Sequence, residues 1–327
     1  MLSKIILPIS SFLSLLTPVC SQGLPIELTV FAAMMSENSC RPPTLPITNQ
    51  DEPEPEAVYL DEAIRVMSFN IRSDDDPGFP WANRKARVAS MIRFHKADLI
   101  GLQEPCQKQL DDLSHALSEY QCFTGASLGE NTRVHDPIFF RKSLFQMVSS
   151  GYFFLSPTPD LPSKGWNAKF PRAVSWVKLS NRKTGKEFYF FNTHFDYHSR
   201  EARDESAHLL KKKIIEIAGT SAVIVAGDFN LFPDLGGKDT YKILTDQDTR
   251  LSLSDAQSIA SFPHHGPTGT WSGFKEAGQP GIKPDYIFVS SLVKVYFHGV
   301  LGDSFDGQFP SDHLPVVADL IILQEII

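Results

Sequence analysis

Cysteine is scarce in this chain. Four occur in 327 residues, at Cys20, Cys40, Cys106 and Cys122, with no Cys-x-x-Cys pair among them. So few, so far apart, exclude a disulfide scaffold and a cysteine-built metal centre. Positive charge is also short. The 31 lysines and arginines face 38 acids, and the formal net charge is -7. The chain therefore has no general attraction for nucleic-acid backbones, and any phosphate must be met at one local site. No apolar run is long enough to cross a bilayer, because the best candidate, residues 5–19, is short and broken by Pro8 and Pro18. No internal repeat is present.

What is present begins with an export-like segment. Lys4 precedes the apolar residues 5–19, and Val19-Cys20-Ser21 offers small residues for cleavage before Gln22. A signal peptide over residues 1–21 is expected, which would make the protein secreted or periplasmic; without it the protein would be cytoplasmic. Cleavage there would leave three cysteines, so at least one would be free or paired to another molecule. "RPPTLPITNQDEPEPEAVYLDEA" (41–63) is rich in proline and acid and cannot bury enough apolar surface to fold. Residues 22–62 read as a linker, and 63–324 as the folded domain.

Within that domain, strand-like and helix-like patterns alternate, as expected of α/β layers around a sheet core. "IRVMSFNI" (64–71), "DLIGLQE" (98–104), "EFYFFNTH" (187–194), "AVIVA" (222–226), "PDYIFVSS" (284–291), "VKVYFHGV" (293–300) and "LPVVADLII" (314–322) read as strands. Helical spacing appears after Trp81, at Val88, Met91 and Ile92, again at Leu110, Leu113 and Leu117, and over residues 200–219. Lys211-Lys212-Lys213 on that last helix reads as a solvated face.

Several of these strands end in polar residues of a restricted kind. "MSFN" ends at Asn70, "LIGLQE" at Glu104, "FFNTH" at His194 and "IVAGDFN" at Asp228 and Asn230; Asp285 opens "DYIFV", and "PSDHLPVV" puts Asp312 and His313 before the last strand. Each alone is commonplace, since Asp and Asn cap helices and form turns and a single histidine is usually structural. Together they are a set of hard oxygen donors and imidazoles on loops that a rigid sheet can present. Such a set suits Mg²⁺ or Mn²⁺ rather than zinc or copper.

The ordered motifs "MSFNIR", "IGLQE", "FNTHFD", "VAGDFN", "PDYIFV" and "SDHLPV" resemble those of the endonuclease/exonuclease/phosphatase superfamily, the deoxyribonuclease I-like hydrolases, over about residues 64–323. The resemblance implies a four-layer α/β sandwich: two packed mixed β-sheets flanked by helices, with the site at one end of the sheets. It also implies roles. Glu104 would be the principal metal ligand, helped by Asn70 and Asp312. Asp228 would orient or deprotonate the attacking water, and Asn230 would position the phosphate. His194 and His313 would bind phosphoryl oxygens, with Asp285 fixing His313. Asn70 would serve metal or substrate.

The expected enzyme is a Mg²⁺-dependent phosphoesterase, with Mn²⁺ as a substitute, acting by in-line attack of an activated water. A nuclease-type substrate is favoured, and a phospholipid or small phosphate is the alternative. The Trp-Cys-Asp-Arg type motif of the inositol phosphatases is absent near Asp285. An inactive binding module is the non-enzymatic reading, and the presence of Glu104, Asp228 and His313 argues against it. Arg172 either contacts substrate phosphate bidentately or is structural. Trp166 and Trp271 either wall the substrate site or pack in the core. The expected partner is the phosphate-ester substrate alone, on a monomer.

A chain starting after Asp61 should stay folded and active, because what precedes reads as signal and linker. Thermal melting of the truncated protein checks this: a melting point many degrees lower would mean that the removed segment packs on the domain.

Overall fold

The computed structural model describes residues 62–127, 134–232, 236–247, 250–275 and 278–323, all within the unit Pro53–Ile327. The expected signal peptide, and the linker up to residue 61, lie outside the described residues. The first strand, β1 (Ile64–Asn70), leads through helix α1 (Trp81–Phe94) to β2 (Leu99–Gln103) and helix α2 (Gln107–Ala116). Strands β3 (Tyr120–Phe123), β4 (Ala126–Ser127), β5 (Val134–His135), β6 (Ile138–Arg141), β7 (Phe145–Phe154), β8 (Ala173–Asn181) and β9 (Glu187–His194) follow. Helix α3 (Arg200–Ala218), β10 (Val223–Asp228), α4 (Gly237–Thr245), β11 (Leu253–Asp255), the short α5 (Ala256–Ile259), β12 (Asp285–Ser290), β13 (Val293–Val300) and β14 (Val316–Ile322) complete the order.

Two six-stranded sheets result, ordered β13-β14-β1-β2-β6-β3 and β11-β12-β10-β9-β8-β7; β4 and β5 form a separate hairpin. Each large sheet has a parallel pair at its centre, β1 with β2 and β9 with β10, and antiparallel partners elsewhere. A parallel pair needs a crossover, and α1 and α3 supply them. Central strands buried on both faces need apolar residues at every position, which is why β10 shows no alternation and is buried throughout. Helix α3 starts where the Ser199 hydroxyl accepts the Ala202 N–H at 3.1 Å, and it stops at Gly219, φ 59°.

The expected four layers are present. Val66, Leu99, Phe140, Phe188, Phe190, Ile224, Ile287 and Leu320 fill the gap between the sheets. Trp81, Val88, Ile92, Leu110 and Leu113 from α1 and α2 cover the outer face of the first sheet, against Met67, Ile100 and Leu102. Ala207, Leu210, Ile214 and Leu244 from α3 and α4 cover the second, against Phe191, Val225 and Phe288. The two described cysteines, Cys106 and Cys122, are free.

The structure corrects one reading. Lys211 is not on a solvated face. It is 5% exposed, and its ammonium donates to the carbonyls of Ile243 and Asp246, both at 3.0 Å, at the end of α4. A lysine stem packs well along an apolar helix face when its head reaches orphan helix-end carbonyls. Lys212 remains exposed.

One buried polar contact ties the sheets together. The Asn192 amide donates to the carbonyls of Leu102 (2.9 Å) and Pro137 (3.0 Å) and accepts from the Gln103 amide at 2.7 Å. Gly101 makes room for it, because a Cβ there would lie 2.4 Å from Asn192 Oδ1. Gly227 likewise lets β10 approach β9, since its Cβ would lie 2.3 Å from the Thr193 carbonyl.

Asn192→Ala should cost about 2 kcal/mol, the order of a lost buried hydrogen-bond set, and Gly101→Ala a similar amount through overpacking. The double variant should lose less than the sum, because the added methyl enters the space that Asn192 vacates. Denaturant unfolding of the three variants measures this; strictly additive losses would mean that the two positions do not share that space.

Candidate active site

Side chains alternate along a strand, so the rows that fill the inter-sheet core continue to the strand ends. Val66 and Ser68 lead to Asn70; Phe190 and Asn192 to His194; Ile224 and Ala226 to Asp228; and Val289 and Ile287, on the antiparallel β12, to Asp285. The register places Asp228 opposite both His194 and Asp285, and Asn70 opposite Gln103, the neighbour of Glu104. The gap between the sheets is therefore apolar in its depth and turns polar toward this end, first at Ser68 and Asn192 and then at the strand ends. Asn70, His194, Asp228, Asn230, Asp285, Asp312 and His313 are all at most 5% exposed there.

Asp228 is the hub. Its Oδ2 accepts the Asn70 amide at 2.9 Å and lies 3.3 Å from His194 Nε2 and 3.8 Å from His313 Nε2; its Oδ1 accepts the Asn230 N–H at 3.0 Å. Burial raises the Asp228 carboxyl above its ordinary range, and the charge of Asp285 adds to that; His313 and the Asn70 and Asn230 hydrogen bonds oppose it. Asn230 sits at φ 52°, a conformation Asn tolerates, and its amide donates to the Phe195 carbonyl at 3.0 Å.

His313 Nδ1 lies 2.8 Å from Asp285 Oδ2, which also accepts the Thr270 hydroxyl at 2.5 Å, and Trp271 meets the imidazole edge-on, centroids 4.9 Å apart. Burial works against a charge on His313, but Asp285, Asp228 and Asp312 outweigh it and raise the imidazole to about 10. The ring is thus an imidazolium at neutral pH and donates from both nitrogens.

Glu104 follows β2 at φ 67°, an uncommon backbone for glutamate, and strain of this kind concentrates at functional sites. Its Oε2 faces the Ser73 N–H at 3.3 Å and Arg72 Nη1 at 3.7 Å, and its Oε1 lies 3.5 Å from the Asn70 amide. Arg72 Nε lies 3.8 Å from Asp312 Oδ2, so the guanidinium stands beside both Glu104 and Asp312. A cleft of about 470 Å³ opens over these groups, lined also by Phe170, Arg172, Tyr197, Phe232 and Trp271.

The profile of the Endonuclease/Exonuclease/phosphatase family matches residues 67–313. The chain belongs to this family. Among solved structures, a mannosyl-6-phosphatase from Bacteroides thetaiotaomicron is 33% identical, with TM-score 0.72 over 79% of this chain and 100% of that one. A family protein from Bacteroides vulgatus is also 33% identical, with TM-score 0.72 over 80% and 99%. An uncharacterised protein of Acanthamoeba polyphaga mimivirus is 28% identical over 182 residues, 51% of this chain and 67% of that one. Endonuclease/exonuclease/phosphatase proteins are divalent-metal-dependent phosphoester hydrolases, and this chain is a hydrolase of that kind.

Two groups in this family member bear on the metal. Asp228, Asp285 and His313 offer ligand atoms all within 4.8 Å of one another. Asp285 Oδ2 there faces His313 Nδ1 and accepts the Thr270 hydroxyl, while Asp285 Oδ1 is buried without a hydrogen-bond partner. The carboxylates of Glu104 and Asp312 already flank one cation, the Arg72 guanidinium, and are hard oxygen donors. Burial, together with the charge of Glu104, raises the Asp312 carboxyl. A divalent ion would relieve both, so these residues fit the group the family uses. Asn70 turns its amide N–H toward Asp228 and Glu104 and gives its oxygen to the Arg72 N–H at 3.0 Å, so it presents a donor to the centre of the site.

The structure brings all the sequence-predicted site residues to one place, Arg172 included, and seats Trp271 but not Trp166 in the cleft wall. Sequence reasoning missed Arg72, Thr270, Asp136, Phe170, Tyr197 and Phe232. Arg72 stands inside the "MSFNIR" motif and Phe232 two residues past "GDFN", so position along the motif was their signal; the others reach the site only through the tertiary fold.

Asp285 and His313 should behave as a unit. In kcat/KM, the double variant Asp285→Asn/His313→Ala should be barely worse than His313→Ala, with folding checked by melting. Losses that simply multiply would separate Asp285 from His313.

Proposed function

We propose that this protein hydrolyses a small organic phosphate of roughly sugar size, using Mg²⁺ and a water activated by Asp228. The observation that carries the reading is the cleft: about 470 Å³, with four aromatic rings and Arg172 around the polar centre, on an acidic chain. A space of that size suits one small ligand rather than a polymer strand. Aromatic walls suit the apolar face of a sugar ring, and Phe170 and Tyr197, with ring centroids 6.3 Å apart, are 43% and 44% exposed at its mouth. The activity named for the Bacteroides thetaiotaomicron mannosyl-6-phosphatase points the same way.

The chemistry follows from the donors. Asn70, His194 and His313 converge on one oxygen of Asp228, and a phosphoryl group set among them receives those N–H donors on its oxygens. Asp228, its carboxyl raised by burial, faces that group and takes the proton of the attacking water. Asp285 holds the His313 tautomer, and Thr270 holds Asp285. Asn230 keeps the turn after β10 in place. Glu104, with Asp312, would hold the Mg²⁺, which would supply charge stabilisation to the phosphoryl and leaving oxygens. We also place the protein outside the cytoplasm, through its N-terminal segment, as a monomer without a protein partner.

EDTA should abolish activity and Mg²⁺ or Mn²⁺ restore it. Glu104→Gln should raise the metal concentration needed for half activity, and Asp228→Asn should lower kcat by about 10²–10⁴-fold. Across mannose 6-phosphate, 4-nitrophenyl phosphate, sphingomyelin, plasmid DNA and single-stranded RNA, the small phosphates should turn over fastest. Faster cleavage of DNA or RNA would return the nuclease reading, sphingomyelin the phospholipid reading, and full activity in EDTA would sink the mechanism.

A further inference from the structure

Arg172 immediately precedes β8 and is only 9% exposed, yet it lines the cleft. Its carbonyl accepts the Leu155 N–H at 2.7 Å, which fixes the backbone, while its Nε is buried without a hydrogen-bond partner. Arg84, more deeply buried at 2%, is a structural arginine by contrast: it donates to the carbonyls of Phe79, Ile71, Pro310 and Arg72 at 2.7–3.0 Å. A buried donor left open costs about 1–3 kcal/mol, and at a cleft wall a ligand that accepts from it recovers that cost.

The surroundings say what kind of ligand. Asp136, 3% exposed and at φ 54°, interacts electrostatically with Arg172 and also with Asp228 and Glu104, so Arg172 borders the same centre as the reacting groups. Burial raises the Asp136 carboxyl well above its ordinary range, and the charge of Arg172 opposes that. The fork of a guanidinium matches two oxygens of one phosphoryl group. A phosphomonoester has three non-bridging oxygens and, above its second ionisation near about pH 6, two negative charges. A diester has two such oxygens and one charge. Asn70, His194 and His313 offer N–H donors on one side of the cleft, and the Arg172 fork offers a cationic pair of donors from its wall to a further oxygen.

We propose that Arg172 makes this site selective for dianionic phosphomonoesters by binding the oxygen and charge that a diester lacks. This rests on the small-phosphate reading. It assigns Arg172 as the group that sets the ester class.

The test compares 4-nitrophenyl phosphate with methyl 4-nitrophenyl phosphate, which share a leaving group and differ by one methyl. The wild type, with Mg²⁺, should prefer the monoester. Arg172→Gln should lower kcat/KM for the monoester by about 10–100-fold, the worth of a charged hydrogen-bond pair, and change the diester by about twofold at most. The ratio of the two kcat/KM values cancels the enzyme's own ionisations. In the wild type it should rise with pH through the monoester's second ionisation, and in Arg172→Gln it should be flat. Arg172→Lys keeps the charge without the fork and should fall between the two. A melting comparison guards against a folding defect. Equal proportional losses on both esters, or a ratio flat with pH in the wild type, would overturn the selectivity. A wild type that cleaves neither ester but nicks DNA or splits sphingomyelin would overturn the small-phosphate reading, and the selectivity with it.

Discussion

Two sheets share one core, and the rows of side chains that fill it have to end somewhere. Along β1, β9, β10 and β12 every second residue points into the gap between the sheets. Deep in the gap these residues are isoleucine, valine, phenylalanine and alanine, with Ser68 and Asn192 next below the site. At one end the same rows continue as Asn70, His194, Asp228 and Asp285. The active centre is therefore the last layer of the core, held as rigidly as the layers beneath it. Asn192 and Gln103, one layer down, bridge the sheets by hydrogen bonds and keep that layer in register.

Placement at the end of a dry gap shapes the electrostatics. Burial raises the carboxyls of Asp228, Asp136 and Asp312. Asp285, Asp228 and Asp312 in turn raise His313 against its own burial. An acid that tends to accept a proton thus stands 3.8 Å from an imidazolium that resists losing one. A phosphoryl group needs both, a base for the water and donors for its oxygens.

Much of this was legible along the chain. Apolar runs marked β1, β2, β9, β10, β12, β13 and β14, and the polar residue at each strand end marked the site, because local sequence decides both strand formation and which residue comes last. Strands β3 to β8 and β11 were not marked: β4 and β5 have two residues each, β11 three, and β7, exposed along its middle, carries no continuous apolar run. Lys211 looked solvated because its helix was read alone, and α4 covers it.

The sequence by itself determined the central strands, the polar strand ends and the class of chemistry they serve, since side-chain alternation and donor type are local properties. Only the tertiary structure decided which of these residues meet. Thr270, 15 positions before Asp285, holds that acid; Arg72 stands between Glu104 and Asp312; and Asp136, Arg172 and Tyr197 arrive from three separate segments. These pairings depend on how two sheets pack face to face. That packing is settled by the shape and burial of the whole core, which no single stretch of sequence contains.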